Sequence, residues 1–196
     1  SEEIIEAKKR DKKEFHLDPD KKLVIIAMGS LGSYTINQKM KEILKAVKDK
    51  PYQVLYVSGK NYYEEFKKEK TMPKNVVVCD LIEDWLGLLK NCDVLVSRAG
   101  ATTIAEITAV GLASILIPSP YVTNNHQMKN ALSLKKKGAC YILEEENLTK
   151  DTLLRTIDEI LNHKEISLRL KTNAKKMRKE NSATLICEEI KKLVEE

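Results

Sequence analysis

No stretch of this chain approaches the ~20 consecutive apolar residues that a helix needs to cross a bilayer, and its amino terminus is charged rather than signal-like. Any membrane contact is therefore expected to be peripheral. Aromatic residues are scarce, at two Phe, one Trp and seven Tyr, and no Lys/Arg run is interleaved with them, so the stacking platform of a nucleic-acid binder is missing. The four cysteines, Cys79, Cys92, Cys140 and Cys187, lie far apart with no CxxC pair and no His at ligand spacing. They read as buried free thiols of a reducing cytosol, and no metal is expected. Gly-x-Ser-x-Gly is also absent, which leaves a serine hydrolase without support.

What is present fits one compact domain, with or without appended helices, in 196 residues. The 34 Lys and Arg against 29 Asp and Glu give a formal charge of +5, with the two signs interleaved along the chain. Such mild basicity suits an anionic nucleotide or an anionic membrane face, and suits a merely solvated surface equally well.

Apolar runs of strand length recur at residues 23–28, 53–57, 76–79, 94–97 and 114–118, with a weaker one at 140–143. Between them, Ile36, Met40, Ile43, Leu44 and Val47, and later Ile104, Ile107 and Val110, fall at the spacing of a helical face. Near-continuous Val/Ile/Leu runs are what strands covered on both faces require. The expected fold is therefore α/β, a Rossmann-like parallel sheet of about six strands with helices on both faces. Residues 149–161 read as a helix started by Thr149, and 166–196 as one or two more. Residues 1–20, with Pro19 stopping any helix, read as a connector from something upstream, leaving 21–165 as the ligand-binding domain and 166–196 as carboxyl-terminal helices.

Three strand-to-helix junctions carry the chemistry. The first contains Gly29, Ser30, Gly32 and Ser33, small residues that let a backbone approach a diphosphate at a helix start. A plain tight turn would look the same. The full GxGxxG pattern is not met, and Val57, Ser58, Gly59 and Lys60 supply no acid at the end of strand two, which disfavours NAD. The second junction offers Ala101, Thr102, Thr103 and, a turn later, Glu106, whose carboxylate can accept from two vicinal ribose hydroxyls. The threonines as ordinary caps, and Glu106 as a capping or dipole-favoured acid, are the alternatives. The third runs from Pro118 through Asn124, Asn125, His126, Gln127 and Asn130, a density of amides suited to sugar hydroxyls. His126 taken alone reads equally as a surface or cap histidine. No Asp-x-Asp stands at these junctions, so charge on a diphosphate must be met by helix ends and hydroxyls rather than by a metal clamp.

In order and spacing, residues 29–33 with Asn37, residues 98–106 and residues 118–131 resemble the donor-domain motifs of the MurG family of bacterial N-acetylglucosaminyltransferases, and the similarity runs from Leu23 onward. The resemblance implies half of a GT-B enzyme that holds UDP-N-acetylglucosamine and needs no cofactor. By motif, Ser30 would contact the diphosphate, the Ile82 backbone the uracil, and Glu106 the ribose. Ala101, Thr102 and Thr103 would touch sugar and phosphates, and His126 and Gln127 the N-acetylglucosamine. His126 replaces the first of two glutamines frequent in the family, and residues 1–13 lack the family's Asn-Pro-x-Arg type motif.

The reaction implied is inverting and metal-independent, converting lipid I to lipid II in peptidoglycan synthesis at the cytoplasmic face of the membrane. The lipid-linked muramyl pentapeptide and the general base would belong to a missing amino-terminal half. A stand-alone subunit with a membrane partner, like the dolichol-pathway transferase, and a non-transferring UDP-sugar protein or epimerase are the alternatives.

Overall fold

The computed structural model describes residues 6–29 and 33–178. Six strands form one sheet in the order β3-β2-β1-β4-β5-β6: β1 Leu23–Ala27, β2 Gln53–Val57, β3 Val76–Cys79, β4 Val94–Ser97, β5 Ser114–Leu116 and β6 Tyr141–Ile142. Every pairing is parallel. Both faces of β1, β2 and β4 are buried, which is why their sequences show no polar alternation.

The connecting helices are α1 Tyr34–Lys45, α2 Tyr63–Lys67, α3 Trp85–Leu89, α4 Ala101–Val110, α5 His126–Lys136, α6 Lys150–Asn162 and α7 Lys164–Lys176. Alternate strand residues serve two cores. Val24, Ile26, Val54, Tyr56 and Val96 pack with Ile36 and Met40 of α1 and Leu153 and Ile157 of α6. Ile25, Leu55, Leu95 and Leu116 pack on the other face with Leu88 of α3, Ile107 of α4, Leu134 of α5 and Ala174 of α7. Each Val, Leu, Ile or Met side chain among these, fully removed from water, contributes roughly 1.5–3 kcal/mol.

The expected strand limits hold closely at β2, β3 and β4, whereas β5 and β6 are shorter than their apolar runs. Pro118 has no N–H to give a ladder, and the last such bond comes from Ile117, one residue past β5, whose N–H donates to the Ser97 carbonyl at 2.8 Å. Thr149 starts α6 through a reciprocal capping box with Thr152. Helix α7 packs against α4 and α6, and the remainder of the expected carboxyl-terminal helices, with Cys187, lies outside the described residues. Within residues 6–16, the Arg10 N–H donates to the Gly87 carbonyl at 3.2 Å, and Arg10 Nη1 donates to the Glu83 carbonyl at 2.9 Å. The segment thus straps α3 from outside. No helix among the described residues is long and apolar enough to cross a membrane.

Candidate functional site

In this strand order the winding reverses between β1 and β4, and the crevice beyond their carboxyl ends is where an open α/β sheet has room for a ligand. The junctions after β1, β4 and β5 all open there. After β1, Gly29 is exposed and takes φ 94°, a conformation only glycine adopts without strain. Ser30 and Gly32 lie outside the described residues. Ser33 then starts α1.

Asn37 is not at the crevice surface. It is 1% exposed, its Nδ2 donates to the carbonyls of Ser33 (2.9 Å) and Ser58 (3.3 Å), and its Oδ1 accepts from the Tyr56 hydroxyl at 2.6 Å. Its amide holds the first junction to the second strand's end, so it shapes the site from beneath.

After β4, Gly100 is the N-cap of α4, and no side chain caps that helix. A Cβ built at Gly100 would meet nothing within 4 Å, so the helix start faces open space. Ala101 and Thr102 are exposed and Thr103 is half-buried. Neither threonine caps the helix, and the capping-box alternative for Glu106 also fails, since α4 has no side-chain cap. Glu106 is half-buried; burial holds its carboxyl above the usual range, partly offset by a hydrogen bond from the Trp85 side chain. Ile82, half-buried in the loop after β3, packs on the same core cluster as Trp85 and Ile104.

After β5, Asn124 and Asn125 take left-handed conformations at φ 54° and 51°, which short amide side chains tolerate. The turn delivers α5 with His126 exposed, its Nδ1 3.0 Å from the Thr123 carbonyl. Gln127 Oε1 accepts from the Ser119 N–H at 2.8 Å, leaving its amide nitrogen as the group free to meet a ligand. Asn130 Nδ2 donates to the Ala99 carbonyl at 3.0 Å and so fastens the third junction to the second.

Arg98, Ser33 and Glu145 escaped the sequence assignment of site roles. Arg98 leaves β4 only 9% exposed, and its Nη2 lies 2.7 Å from Glu145 Oε2, itself in a residue 6% exposed. That ion pair lacks hydrogen-bond alignment, and both Glu145 oxygens are without a hydrogen-bond partner among the described residues. Lys39 of α1 donates to the Glu145 carbonyl at 2.7 Å. The available signal was an arginine ending an apolar strand, a charge that burial obliges to find a partner.

A hollow of about 700 Å³ lies at the opposite end of the sheet, among the loops entering β1, β2 and β3, lined by Lys21, Lys45, Lys48, Lys50, Lys70 and Lys74. Asp18, the first acid of the chain's Asp-x-Asp, lines it too, and its Oδ1 accepts from the Asp20 N–H at 2.9 Å. The rim at the carboxyl ends is the better site, because uncapped helix starts, a half-buried carboxylate and ordered amides converge there. Burial raises the Cys92 and Cys140 thiols to about 12, which keeps them protonated and unreactive.

An open parallel sheet with this order and this rim defines a Rossmann-like α/β domain. The family model described as the glycosyltransferase family 28 C-terminal domain matches residues 23–190, and the chain belongs to that family. It is 50% identical over 148 residues to the UDP-N-acetylglucosamine--N-acetylmuramyl-(pentapeptide) pyrophosphoryl-undecaprenol N-acetylglucosamine transferase of Halalkalibacterium halodurans, covering 74% of this chain and 41% of that protein. The corresponding transferase 1 of Bacillus cereus is 43% identical over 188 residues, covering 94% of this chain and 52% of that protein. The chain thus spans about half the length of the curated relatives it matches, or less. The crystal structure of Acinetobacter baumannii MurG superposes with a TM-score of 0.79 at 24% identity over 96% of this chain and 55% of that one. A Staphylococcus aureus MnaA–UDP structure gives 0.72 at 14% identity over 96% and 49%. The fold is that of half a GT-B glycosyltransferase, as the sequence implied.

Proposed function

We propose that this chain is the donor-binding half of an inverting, metal-independent transferase that moves N-acetylglucosamine from UDP to an undecaprenyl-diphosphate-linked muramyl pentapeptide in peptidoglycan synthesis. The observation that carries this reading is the convergence at one rim of two helix starts without side-chain caps, those of α1 and α4, with the Glu106 carboxylate beside them. The relatives' names supply the sugar and the acceptor. Glu106 accepts from the ribose hydroxyls, the backbone at Ile82 meets the uracil, and Gly29, Ser30 and Gly32 are assigned to the diphosphate. Ala101, Thr102 and Thr103 meet phosphates and sugar, while His126, Gln127 and Asn130 border the N-acetylglucosamine.

In the reaction, an acceptor hydroxyl oxygen forms a bond to the anomeric carbon as the bond from that carbon to UDP breaks, inverting the configuration. The electron pair leaves on UDP, where the N–H groups of the helix starts meet the growing negative charge. The hydroxyl proton passes to a base in the other half, which also holds the lipid acceptor against the cytoplasmic membrane face. Exposed Tyr34, Leu81 and Tyr121 follow β1, β3 and β5 on the same rim, where that half would close. By this reading residues 1–20 join the halves and 21–165 bind donor. A non-transferring UDP-sugar protein or epimerase keeps some footing, since a putative UDP-N-acetylglucosamine 2-epimerase from Listeria monocytogenes shares the fold with a TM-score of 0.57.

Calorimetry with UDP-N-acetylglucosamine, UDP and UDP-glucose tests the assignment. Glu106→Ala is expected to weaken all three by ~1 to 3 kcal/mol, the size of a lost charge-assisted hydrogen-bond pair. Equal affinity in wild type and variant would remove the ribose role. The chain alone is expected to bind donor and transfer nothing, so radiolabelled transfer to a lipid acceptor by these residues alone contradicts the division of labour.

A further inference from the structure

Ser33 is the N-cap of α1 and has the extended backbone, φ −139° and ψ 123°, from which a serine hydroxyl ordinarily accepts from the first-turn N–H groups. It makes no such bond. Its Oγ accepts instead from Arg98 Nη2 at 3.2 Å. The guanidinium is fixed in turn by the Ile117 carbonyl, 3.1 Å from Nη1, and by Glu145 at 2.7 Å. The first turn of α1 holds no acidic residue either. A twelve-residue helix whose natural cap is turned elsewhere keeps its N–H groups, and the positive end of its dipole, for an anion from outside.

The geometry points to Arg98 as a positioning residue for the donor's diphosphate: by drawing the Ser33 hydroxyl to itself, it keeps the start of α1 uncapped for the phosphates. This rests on the donor reading above and deepens it. Arg98 does not act as a bare cation toward the ligand, because a buried carboxylate already compensates its charge. Glu145 holds the guanidinium at the depth from which it reaches Ser33. Lys39 anchors the Glu145 backbone to α1, so the helix start and the group that keeps it open are tied to the same segment.

The test compares UDP with uridine, which lacks the phosphates, on the whole chain. Arg98→Met combined with Glu145→Gln removes both charges and leaves neither orphaned in the interior. Ser33 is then free to cap α1, and UDP affinity is expected to fall about fivefold, the equilibrium value of one cap hydrogen bond. Uridine affinity is expected to stay unchanged, which also reports an intact fold. Adding Ser33→Ala is expected to restore most of the UDP affinity, because no hydroxyl remains to occupy the helix start. A merely structural role for Arg98 would not be rescued by deleting the serine hydroxyl. Arg98→Lys, which can keep the pairing with Glu145 but lacks the fork needed to hold Ser33 as well, is expected to show the same loss and the same rescue. Undiminished UDP affinity in these variants, equal loss for uridine, or loss that Ser33→Ala leaves in place overturns the proposal. Wild-type chain that binds neither UDP nor uridine overturns the donor reading, and this proposal with it.

Discussion

The ribose role proposed for Glu106 sets a ligand-binding group against the fold that holds it. Its carboxyl is raised above the ordinary value of 4.5 chiefly by burial. An acid that holds its proton more tightly when folded adds stability below the unfolded pKa, and that contribution is lost as pH rises through the folded one. At neutral pH the ionised side chain therefore sits at a net disadvantage, and Glu106→Gln is expected to raise the melting temperature there while weakening UDP binding. The sign differs for the ligand, since the proposed contact to two ribose hydroxyls needs the carboxylate form. UDP affinity is expected to decline on acidification at a higher pH than an ordinary glutamate would give, and to flatten in Glu106→Gln. A wild-type profile as flat as the variant's would remove the carboxylate from the site.

At the scale of elements, strands were spelled out because burial on both faces leaves no room for polar residues, and α6 because Thr149 marks its start. Helices α2 and α3, five residues each, have too few turns to express a period. Contacts across the chain were also hidden: the grip of Arg98 on Ser33 joins residues 65 apart, and the Asn37 amide faces inward although its motif position resembled a ligand contact. The strap of residues 6–16 over α3 belongs with these, since no local pattern announces it. It depends on Gly87, where an added Cβ would collide with the Lys8 carbonyl and press on the Arg10 side chain. Gly87→Ala is expected to lift the strap while leaving the sheet intact, which limited proteolysis would report as faster cleavage around residues 7–16 at an unchanged core melting temperature. Cleavage at the wild-type rate would mean the strap is not held at that point.

For the molecule as a whole, the strand order and its single reversal decide where a ligand can sit; that the sheet is parallel followed from the alternation of apolar runs with helical faces, whereas the order depends on crossovers that no local pattern announces. The end proposed to meet the sugar was less legible, because His126 and Gln127 bond within their own loop and only part of their hydrogen-bonding capacity is left for a ligand. The lysine-lined hollow at the far end was not foreseen at all, as its side chains come from separate segments scattered between His16 and Val77.

Trp85 is the chain's single tryptophan, three residues after Ile82, and its side chain lowers the pKa of the carboxylate assigned to the ribose against the effect of burial. The protein therefore carries its own optical reporter: saturating UDP is expected to change the intensity or wavelength of indole emission with the same dissociation constant found calorimetrically. An emission spectrum indifferent to UDP at saturation would place the nucleoside away from this indole.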